Sequence, residues 1–301
     1  MADTADKNFT PYDSDEFIEQ ESWELRSSTG ALDSVRSIVA WSDICGIGNA
    51  LEKSAWSLEE LSKQGVFKAL GLAYKYLGNP FIIGVPPQPS ERVLVINDGI
   101  ARTVDLIDAR LILVPQFLFY VRDLLMHHFM LERQLVRIGL GLRTVLAGGE
   151  RCQYSLPKKT GESFLFYTNQ PSEYGKKLID QQFVYNPSEF QMNTAFALAY
   201  SLEAKGTADG LIPNRLYIEQ RWLEVIAGLL PGFIRIENCS ITFMFNGQPG
   251  ITINADRCWE VNVRGLMTKV FRVKEFTVHR EFEGETTHFP MAEHDLPLRA
   301  N

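Results

Sequence analysis

The chain has 301 residues, of which 45% are hydrophobic and 22% are charged, as in a folded protein of one large domain or two small ones. The formal net charge of −7 disfavours nucleic acid as a partner, because an acidic surface repels phosphate backbones. The longest apolar stretch, residues 111–121, is too short to span a bilayer. Four scattered cysteines without a CxxC pair, and no signal peptide, predict a cytoplasmic protein with reduced thiols and no zinc site.

The first part of the chain combines an acidic segment, a strand and a helix. Residues 1–30 are polar and acidic, which predicts a loose arm ahead of the folded domain. A central strand is predicted over residues 35–41, since this run is almost wholly apolar. Ser57 and Glu60 then form a capping-box pattern that begins a predicted helix over residues 58–77.

The middle of the chain predicts a hairpin, a long helix and a further strand. Two strand-like runs within residues 91–106 flank the sequence Asn-Asp-Gly at 97–99, and Asp-Gly between such runs is a strong hairpin signal. A long helix is predicted over residues 109–134. The alternating pattern of residues 136–149 is typical of a strand.

The last part is rich in strands. Residues 151–184 are polar and loop-like, and helices are predicted at 189–206 and 219–230. Four strand-like segments follow, at residues 233–238, 240–247, 258–265 and 268–282. This order predicts an α+β fold in which helices flank an antiparallel-rich central sheet. We expect one folded domain over residues 31–285 and a C-terminal tail over residues 286–301.

Two carboxylates stand at the ends of neighbouring predicted strands. Asp43 follows the first strand, and Asp98 lies at the tip of the hairpin. Each alone is explained by a turn. As a pair they can hold two divalent ions for an in-line displacement at phosphorus. Gly46 and Gly48 follow Asp43 closely, and backbone without side chains lets N–H groups approach phosphate oxygens.

Five segments resemble the motifs of class III nucleotide cyclases in that family's order. They are VAWSDICGIGNAL, VLVINDGIARTVDL, VRIGLGLRTVLAGG, YNPSEFQMNTA and VNVRGLMTKVFRV. The resemblance spans residues 35–282, which is most of the chain. It implies a cyclase-like α+β domain, two divalent metal ions (Mn²⁺ or Mg²⁺) as cofactors, and a homodimer whose sites use residues of both subunits.

The resemblance also implies a role for particular residues. The metal ligands would be Asp43, Asp98 and the backbone carbonyl of Ile44. The triphosphate would meet backbone N–H groups of Cys45, Gly46, Ile47 and Gly48. Asn193 of the partner subunit would orient the ribose, and Arg264 would hold phosphate charge. Leu94 and Asn186 occupy the two base-reading positions.

Three of these positions depart from the purine cyclases. Leu94 and Asn186 replace the polar groups that read a purine edge, and Ala197 stands where the family has an arginine that steadies the transition state. Another cation, Arg143 or Arg264, would have to replace that arginine.

The departures are most similar to the bacterial pyrimidine cyclases of Pycsar antiphage defence. That resemblance implies conversion of UTP into 3′,5′-cyclic UMP and pyrophosphate, with cyclic UMP acting on a separate effector. The preference for uracil over cytosine rests on resemblance alone. The alternatives are a cytidylate cyclase, a purine cyclase with an unusual base pocket, and a catalytically dead cyclase-like domain that binds a nucleotide.

Overall fold

The computed structural model describes residues 34–78, 90–107, 114–152 and 188–291. The chain forms two compact units, one comprising Met1–Val35 and Arg151–Asn193, the other Arg36–Glu150 and Thr194–Asn301. The sheet and helices below belong to the second unit, except for the first residues of β1 and the last residues of β4. The expected acidic arm and nearly all of the expected loop at 151–184 lie outside the described residues.

The described chain alternates helices with the strands of a large sheet. The strands are β1 (Ser34–Cys45), β2 (Arg92–Ile96), β3 (Gly99–Leu106), β4 (Gly141–Cys152), β5 (Arg215–Glu219), β6 (Ile234–Glu237), β7 (Ser240–Phe245), β8 (Gln248–Val263), β9 (Leu266–Val278) and β10 (Thr287–Pro290). The α-helices are α1 (Ile47–Lys53), α2 (Leu58–Lys63), α3 (Val66–Tyr76), α4 (Val114–Val136), α5 (Thr194–Glu203), α6 (Gln220–Leu229) and α7 (Arg280–Glu283).

The strands form one sheet in the order β2-β3-β1-β4-β5-β9-β8-β7-β6, and β10 pairs with β9. The pairs β1–β3, β2–β3, β5–β9, β6–β7, β7–β8, β8–β9 and β9–β10 are antiparallel, whereas β4 and β5 are parallel. The predicted α+β class with an antiparallel-rich sheet is therefore confirmed for the described part of the chain.

The main core lies between α4 and the sheet. Phe117, Val121 and Leu125 of α4 are buried against apolar side chains of the sheet, among them Ile38 and Phe243. Their spacing along the helix places them on one side of it, as expected for a helix that packs on a sheet. None of the helices in the described part of the chain is long and apolar enough to cross a membrane.

A second core lies beneath the three short helices that follow β1. Ile47 of α1, Leu61 of α2 and Ala69 of α3 are buried together with Ile44 of β1 and Leu131 of α4. The residues directly after Asp43 are thus anchored on the main body of the larger unit, because their apolar side chains share a core with its longest described helix.

Several helix predictions differ from the structure in their bounds. The capping box is confirmed, since the Ser57 side chain accepts a hydrogen bond from the Glu60 N–H. The predicted helix over 58–77 is nevertheless two helices, because Gly65 has a left-handed φ of 79° that a right-handed helix cannot continue through. The helix predicted at 189–206 is shorter for a similar reason, since Met192 has a φ of 44° and α5 begins only at Thr194.

The strand predictions also shift at their ends. The first strand does not stop at residue 41 but continues to Cys45, so that Asp43 lies within the strand. The strand predicted at 136–149 begins later, at Gly141, because α4 continues to Val136 and Gly139 turns the chain with a φ of 75°. The end of the strand predicted at 268–282 is helix α7, and the segment expected to be a tail contains β10.

The expectation of reduced cysteines is wrong for one pair. Cys239, in the turn between β6 and β7, forms a disulfide with Cys258 of β8, and their Cα atoms are 6.1 Å apart. The backbone brings them together because the Ala255 N–H donates to the Cys239 carbonyl beside an irregularity in β8. Cys45 and Cys152 are free. The bridge depends on strand register, which the spacing of the cysteines in the sequence does not reveal.

Candidate functional site

The structure brings the two predicted carboxylates together across one strand pair. In the antiparallel pairing of β1 with β3, Asp43 lies directly opposite Gly99, the residue after Asp98. The Ile44 N–H donates to the Asp98 carbonyl at 3.2 Å, so the ladder continues as far as Asp98 itself. Asp43 and Asp98 are therefore neighbours at the same end of this strand pair.

The hairpin that carries Asp98 is tight, and a hydrogen bond from helix α3 stabilises it. Ile96 pairs with Gly99, which leaves Asn97 and Asp98 as a two-residue loop, and Asn97 has the left-handed φ of 54° that such loops favour. The Asn97 side-chain amide donates to Asp98 Oδ1 at 3.1 Å. The Tyr74 hydroxyl of α3 donates to the Asn97 carbonyl at 2.8 Å, which ties the loop to the helices.

Gly99 makes room for an aromatic ring beside the two carboxylates. A Cβ atom at this position would lie 2.3 Å from Cη2 of Trp41, which is closer than two carbon atoms can approach. The Trp41 ring also makes edge-on contacts with Phe196 and Tyr200 of α5. Trp41 thus packs α5 against the strand pair next to Asp43.

The segment after Asp43 turns sharply into α1. Gly46 adopts a left-handed conformation with a φ of 102° and caps the helix without a side chain, and its carbonyl accepts from the Ala50 N–H. The N–H groups of Ile47, Gly48 and Asn49 belong to the first turn and have no acceptor within the helix. A Cβ atom at Gly48 would meet nothing within 4 Å, so the backbone is open on this side.

The electrostatics of the site are dominated by crowded acidic groups. The pKa of Asp43 is raised from 3.8 to about 7, chiefly by burial and then by the charges of Glu203 and Asp98, while the charge of Arg143 acts in the opposite direction. Burial likewise raises the pKa of the Cys45 thiol to about 12, so it stays protonated at neutral pH. Such an arrangement favours a bound cation, because a cation relieves the repulsion between the carboxylates.

Glu203 and Arg143 complete this cluster. Arg143, on β4, donates through Nη1 to the Glu203 carboxylate at the end of α5 and to its backbone carbonyl at 3.2 Å. The sequence analysis named Arg143 only as a substitute cation and missed Glu203. A carboxylate in the last turn of a helix is unfavourable for the helix dipole, and that local conflict was the available signal for Glu203.

The remaining predicted site residues belong to other parts of the fold, and one of them lies outside the described residues. Arg264 is exposed in the turn between β8 and β9, with a φ of 50°. Leu94 is half-buried on β2 opposite Ala101, and Asn186 lies outside the described residues. Asn193 belongs to the smaller compact unit, where its buried side-chain amide donates to the Glu189 carbonyl at 2.9 Å.

The donor atoms at Asp43 and Asp98 suit Mg²⁺ or Mn²⁺. These ions prefer oxygen ligands, and they are commonly held by one or two carboxylates while water and substrate phosphates supply the rest. Within the described residues, no group of three or more His, Cys, Asp or Glu side chains is arranged to hold a metal ion. The two aspartates and the Ile44 carbonyl therefore fit an ion only if a phosphate-bearing substrate completes its coordination.

Comparison with known proteins adds distant structural similarity alone. No protein family model matches the sequence, and no curated protein matches it. Among solved structures, the chain is similar to the crystal structure of the guanylyl cyclase Cya2, with a TM-score of 0.43 and 12% identity over 81% of this chain and 93% of that one. A similarity of this size supports no activity, so the function has to be inferred from the residues themselves.

We expect the exchange Asp43→Asn to stabilise the metal-free protein at neutral pH. Because burial raises the pKa of Asp43 to about 7, the folded state binds more protons than the unfolded state between about pH 4 and pH 7. The contribution of Asp43 to the free energy of unfolding therefore falls as the pH rises through that range. An asparagine at this position does not titrate, so the variant does not lose this free energy. In EDTA, the melting temperature of Asp43→Asn should exceed that of the wild type by a margin that grows up to about pH 7.

Added Mn²⁺ provides the control for this experiment. An ion that binds only the folded wild type raises its melting temperature, whereas Asp43→Asn has lost a ligand and gains little. If the difference in melting temperature between the two proteins does not change with pH, the raised pKa of Asp43 is contradicted. Equal stabilisation of both proteins by Mn²⁺ would contradict the assignment of Asp43 as a metal ligand.

Proposed function

We propose that the protein is a class III-type nucleotide cyclase that converts UTP into 3′,5′-cyclic UMP and pyrophosphate. The observation that carries the proposal is the juxtaposition of Asp43 and Asp98 at one end of β1 and β3, directly before the open first turn of α1. Two carboxylates beside unpaired backbone N–H groups are what a metal-bound triphosphate requires. The order of the five motifs supports the same class.

Asp43 and Asp98 would hold two divalent ions, Mn²⁺ or Mg²⁺, with the Ile44 carbonyl as a further ligand. When bound, these ions lower the pKa of the ribose 3′ hydroxyl and neutralise charge on the triphosphate. The N–H groups of residues 45–48 would donate to the β- and γ-phosphate oxygens. Asp43 is well suited to its task, since burial leaves its carboxylate short of favourable partners until a cation arrives.

The proposed reaction is an intramolecular displacement at the α-phosphorus. A bond forms between the 3′ oxygen and the α-phosphorus, and the bond between the α-phosphorus and the oxygen bridging to the β-phosphate breaks. The electron pair leaves with pyrophosphate, and the 3′ proton is released to water. The role of the protein is positioning and charge stabilisation, as in other phosphoryl transfers.

The sugar and the base require further residues. Asn193 of the partner subunit would orient the ribose, and Arg264 would hold phosphate charge. Because the chain carries one set of motifs, we propose a homodimer with two shared sites. Leu94 and Asn186 would line the base position, where the absence of purine-reading groups favours the smaller pyrimidines.

The product suggests a signalling role. Cyclic UMP is a diffusible second messenger, and the resemblance to the Pycsar cyclases supports a cytoplasmic enzyme that responds to phage infection and activates a separate effector. Measuring cyclic UMP in infected cells tests this role. Its concentration should rise in cells with the wild-type protein and should not rise in cells with Asp43→Ala.

A second candidate, a nucleotide-binding domain without catalysis, is favoured by one observation. Ala197 is exposed on α5 and offers no charge where class III cyclases carry an arginine. In this case the protein would bind a nucleoside triphosphate with Mn²⁺ and release it unchanged.

We expect UTP to be consumed first when all four nucleoside triphosphates compete at equal concentration with Mn²⁺. A site that reads a base edge with polar groups discriminates strongly, and such groups are absent for purines at Leu94. Mass spectrometry of the products should find cyclic UMP in excess, with cyclic CMP second. If the main product is cyclic AMP or cyclic GMP, the pyrimidine assignment is wrong. If it is cyclic CMP, only the choice of uracil is wrong. If no cyclic product forms, the second candidate is favoured.

The shared sites can be tested by mixing two inactive variants. Asp43→Ala lacks a metal ligand, and Asn193→Ala lacks the ribose contact, so each alone should be inactive although folded. In a mixed dimer, one site has both original residues and should recover up to about a quarter of wild-type activity, since half of the dimers are mixed and each has one intact site. Absence of recovery, despite subunit exchange shown by labelled chains, would exclude shared sites.

The phosphate role of α1 can be separated from its stability with two glycine variants. Gly48→Ala and Gly71→Ala each add a methyl group to an exposed helix position with nothing within 4 Å, and both should be neutral or stabilise the fold by up to about 1 kcal/mol. Only Gly48 lies at the proposed triphosphate position, so only Gly48→Ala should lower kcat/KM, by up to about 100-fold. Equal activity of the two variants would contradict a phosphate at α1.

A further inference from the structure

The two residues on either side of Asp43 are held by one helix, α4. Ser42 and Ile44 are buried on the face of β1 opposite to Asp43, because side chains alternate along a strand. The Ile44 side chain shares an apolar core with Leu131 of α4. Ser42 is joined to the same helix by polar contacts. The helix thus holds the strand immediately before and immediately after the proposed metal ligand.

The connection from Ser42 to α4 is a chain of buried polar side chains. The Ser42 hydroxyl lies 2.8 Å from the Thr144 hydroxyl of β4, and that hydroxyl lies 2.9 Å from Nδ1 of His128 on α4. The other ring nitrogen of His128, Nε2, lies 3.3 Å from the Glu132 carboxylate, one helical turn further along. Each of these four side chains belongs to a residue that is at most 4% exposed. Loss of one hydroxyl therefore leaves its neighbours with an unmet hydrogen bond that water cannot replace.

The middle of this chain lies behind the charged groups of the site. Thr144 follows Arg143 along β4. Ser42 precedes Asp43 along β1, the neighbouring strand of the sheet. Arg143 and Asp43 therefore lie on the face opposite to the two hydroxyls, and there the charge of Arg143 acts on the pKa of Asp43. The contact between the hydroxyls fixes the alignment of the two strands where their other faces carry the charged groups.

The proposed metal site depends on how accurately its few protein ligands are placed. Asp98 lies in a loop that the Tyr74 hydroxyl ties to α3, whereas Asp43 lies within β1. Burial and neighbouring carboxylates oppose the charge on Asp43, so the strand has to hold this side chain in an unfavourable place. A misplacement of about 1 Å can slow an enzymatic reaction about 100-fold. Contacts that fix β1 on both sides of Asp43 therefore serve the reaction as well as the fold.

A second hydroxyl pair on β1 has the same chemistry away from the site. The Ser37 hydroxyl lies 2.9 Å from the Thr103 hydroxyl of β3, and both residues are buried. Neither residue adjoins a proposed ligand in the sequence. This pair stabilises the sheet and provides a matched comparison for the pair behind Asp43.

We propose that His128 and Thr144 are positioning residues for the metal ligand Asp43. His128 holds the Thr144 hydroxyl, which in turn holds Ser42 and with it the end of β1. Neither side chain contacts the ion or the nucleotide. The inference rests on the proposed function, because it assigns to these residues the accurate placement of a metal ligand for that reaction.

Three threonine variants separate positioning from stability. Thr144→Val removes the hydroxyl and keeps a similar shape, whereas Thr144→Ser keeps the hydroxyl. Thr103→Val is the matched control, because it removes the hydroxyl of the second pair. Both valine variants should melt below the wild type, since each loses a hydrogen bond between buried groups.

The measurement is the affinity for Mn²⁺ at saturating 3′-deoxy-UTP, an analogue that lacks the attacking oxygen. Calorimetry should find this affinity about 10-fold weaker in Thr144→Val and unchanged in Thr144→Ser and Thr103→Val. With UTP and saturating Mn²⁺, kcat of Thr144→Val should fall by about 10- to 100-fold while KM changes less than about threefold, because a misplaced ligand affects chiefly the transition state. Equal effects of Thr144→Val and Thr103→Val on Mn²⁺ affinity and kcat would overturn the inference.

The role of His128 is tested with its neighbour His127 as the control. His127 is equally buried on α4, but its Nδ1 lies 3.0 Å from Nη1 of Arg102 on β3, outside the chain. His128→Gln should weaken Mn²⁺ binding in the wild-type background and have no further effect in the Thr144→Val background, because it acts through Thr144. His127→Gln should leave the Mn²⁺ affinity unchanged. Additive effects of the two changes at His128 and Thr144 would overturn the role of His128.

Two further outcomes complete the test. If Thr144→Val or His128→Gln does not fold, Ser42→Ala removes only the end of the chain, and wild-type Mn²⁺ affinity in Ser42→Ala would overturn the inference. If Mn²⁺ binding changes as expected but the wild type cyclises no nucleotide, the proposed function fails while the positioning of Asp43 remains. If nucleotide is cyclised and Thr144→Val matches Thr103→Val, the inference alone fails.

Discussion

The antiparallel pairing of β1 with β3 is the constraint on which the candidate site depends. Side chains alternate between the two faces of a strand, so a shift of one residue would move Asp43 to the opposite face and away from Asp98. The register is held by shape as well as by hydrogen bonds. The Trp41 ring fills the space that a side chain at Gly99 would need, and only a glycine at that point of β3 accepts it. The carboxylate pair thus follows from the packing of Trp41, two residues before Asp43, on Gly99, the residue after Asp98.

The opposite face of β1 is fixed by a buried polar chain. The hydroxyls of Ser42 and Thr144 lie 2.8 Å apart, and His128 Nδ1 lies 2.9 Å from the same Thr144 hydroxyl. These contacts join β1, β4 and α4 directly behind Asp43. Hydrogen bonds between buried groups are strong in a low dielectric, so Asp43 is presented by a strand that is held from both faces. Rigid presentation suits a site whose contribution to a reaction is positioning.

The charges at the site oppose one another in a way that costs stability. Three carboxylates, those of Asp43, Asp98 and Glu203, are brought near one guanidinium, and burial raises the pKa of Asp43 to about 7. Repulsion of this kind persists in a folded protein only when the surrounding structure outweighs it, and it is common at functional sites. At the other end of the sheet, the Cys239–Cys258 bridge joins residues 19 apart, and closing such a loop removes about 3 kcal/mol of entropy from the unfolded chain.

Several elements could be predicted from the sequence because their signals are local. The hairpin at Asn97 and Asp98 follows from turn chemistry, the start of α2 follows from the Ser57 cap, and the α+β class follows from the order of apolar runs. The candidate pair of metal-binding carboxylates could also be predicted from the sequence, because both aspartates lie next to strands and glycines. These features depend on residues a few positions apart, where propensity and sterics act directly.

Features that depend on residues distant in the chain could not be predicted from the sequence and became visible in the folded structure. Glu203 pairs with Arg143, and its charge acts on Asp43, on a helix that packs against β1 at Trp41. The disulfide joins β8 to the β6–β7 turn, beside the hydrogen bond from the Ala255 N–H to the Cys239 carbonyl. The breaks at Gly65 and Met192 were hidden because an apolar pattern continues on either side of each. Contacts of this kind arise from the packing of whole elements, and no short stretch of sequence specifies the distance between them.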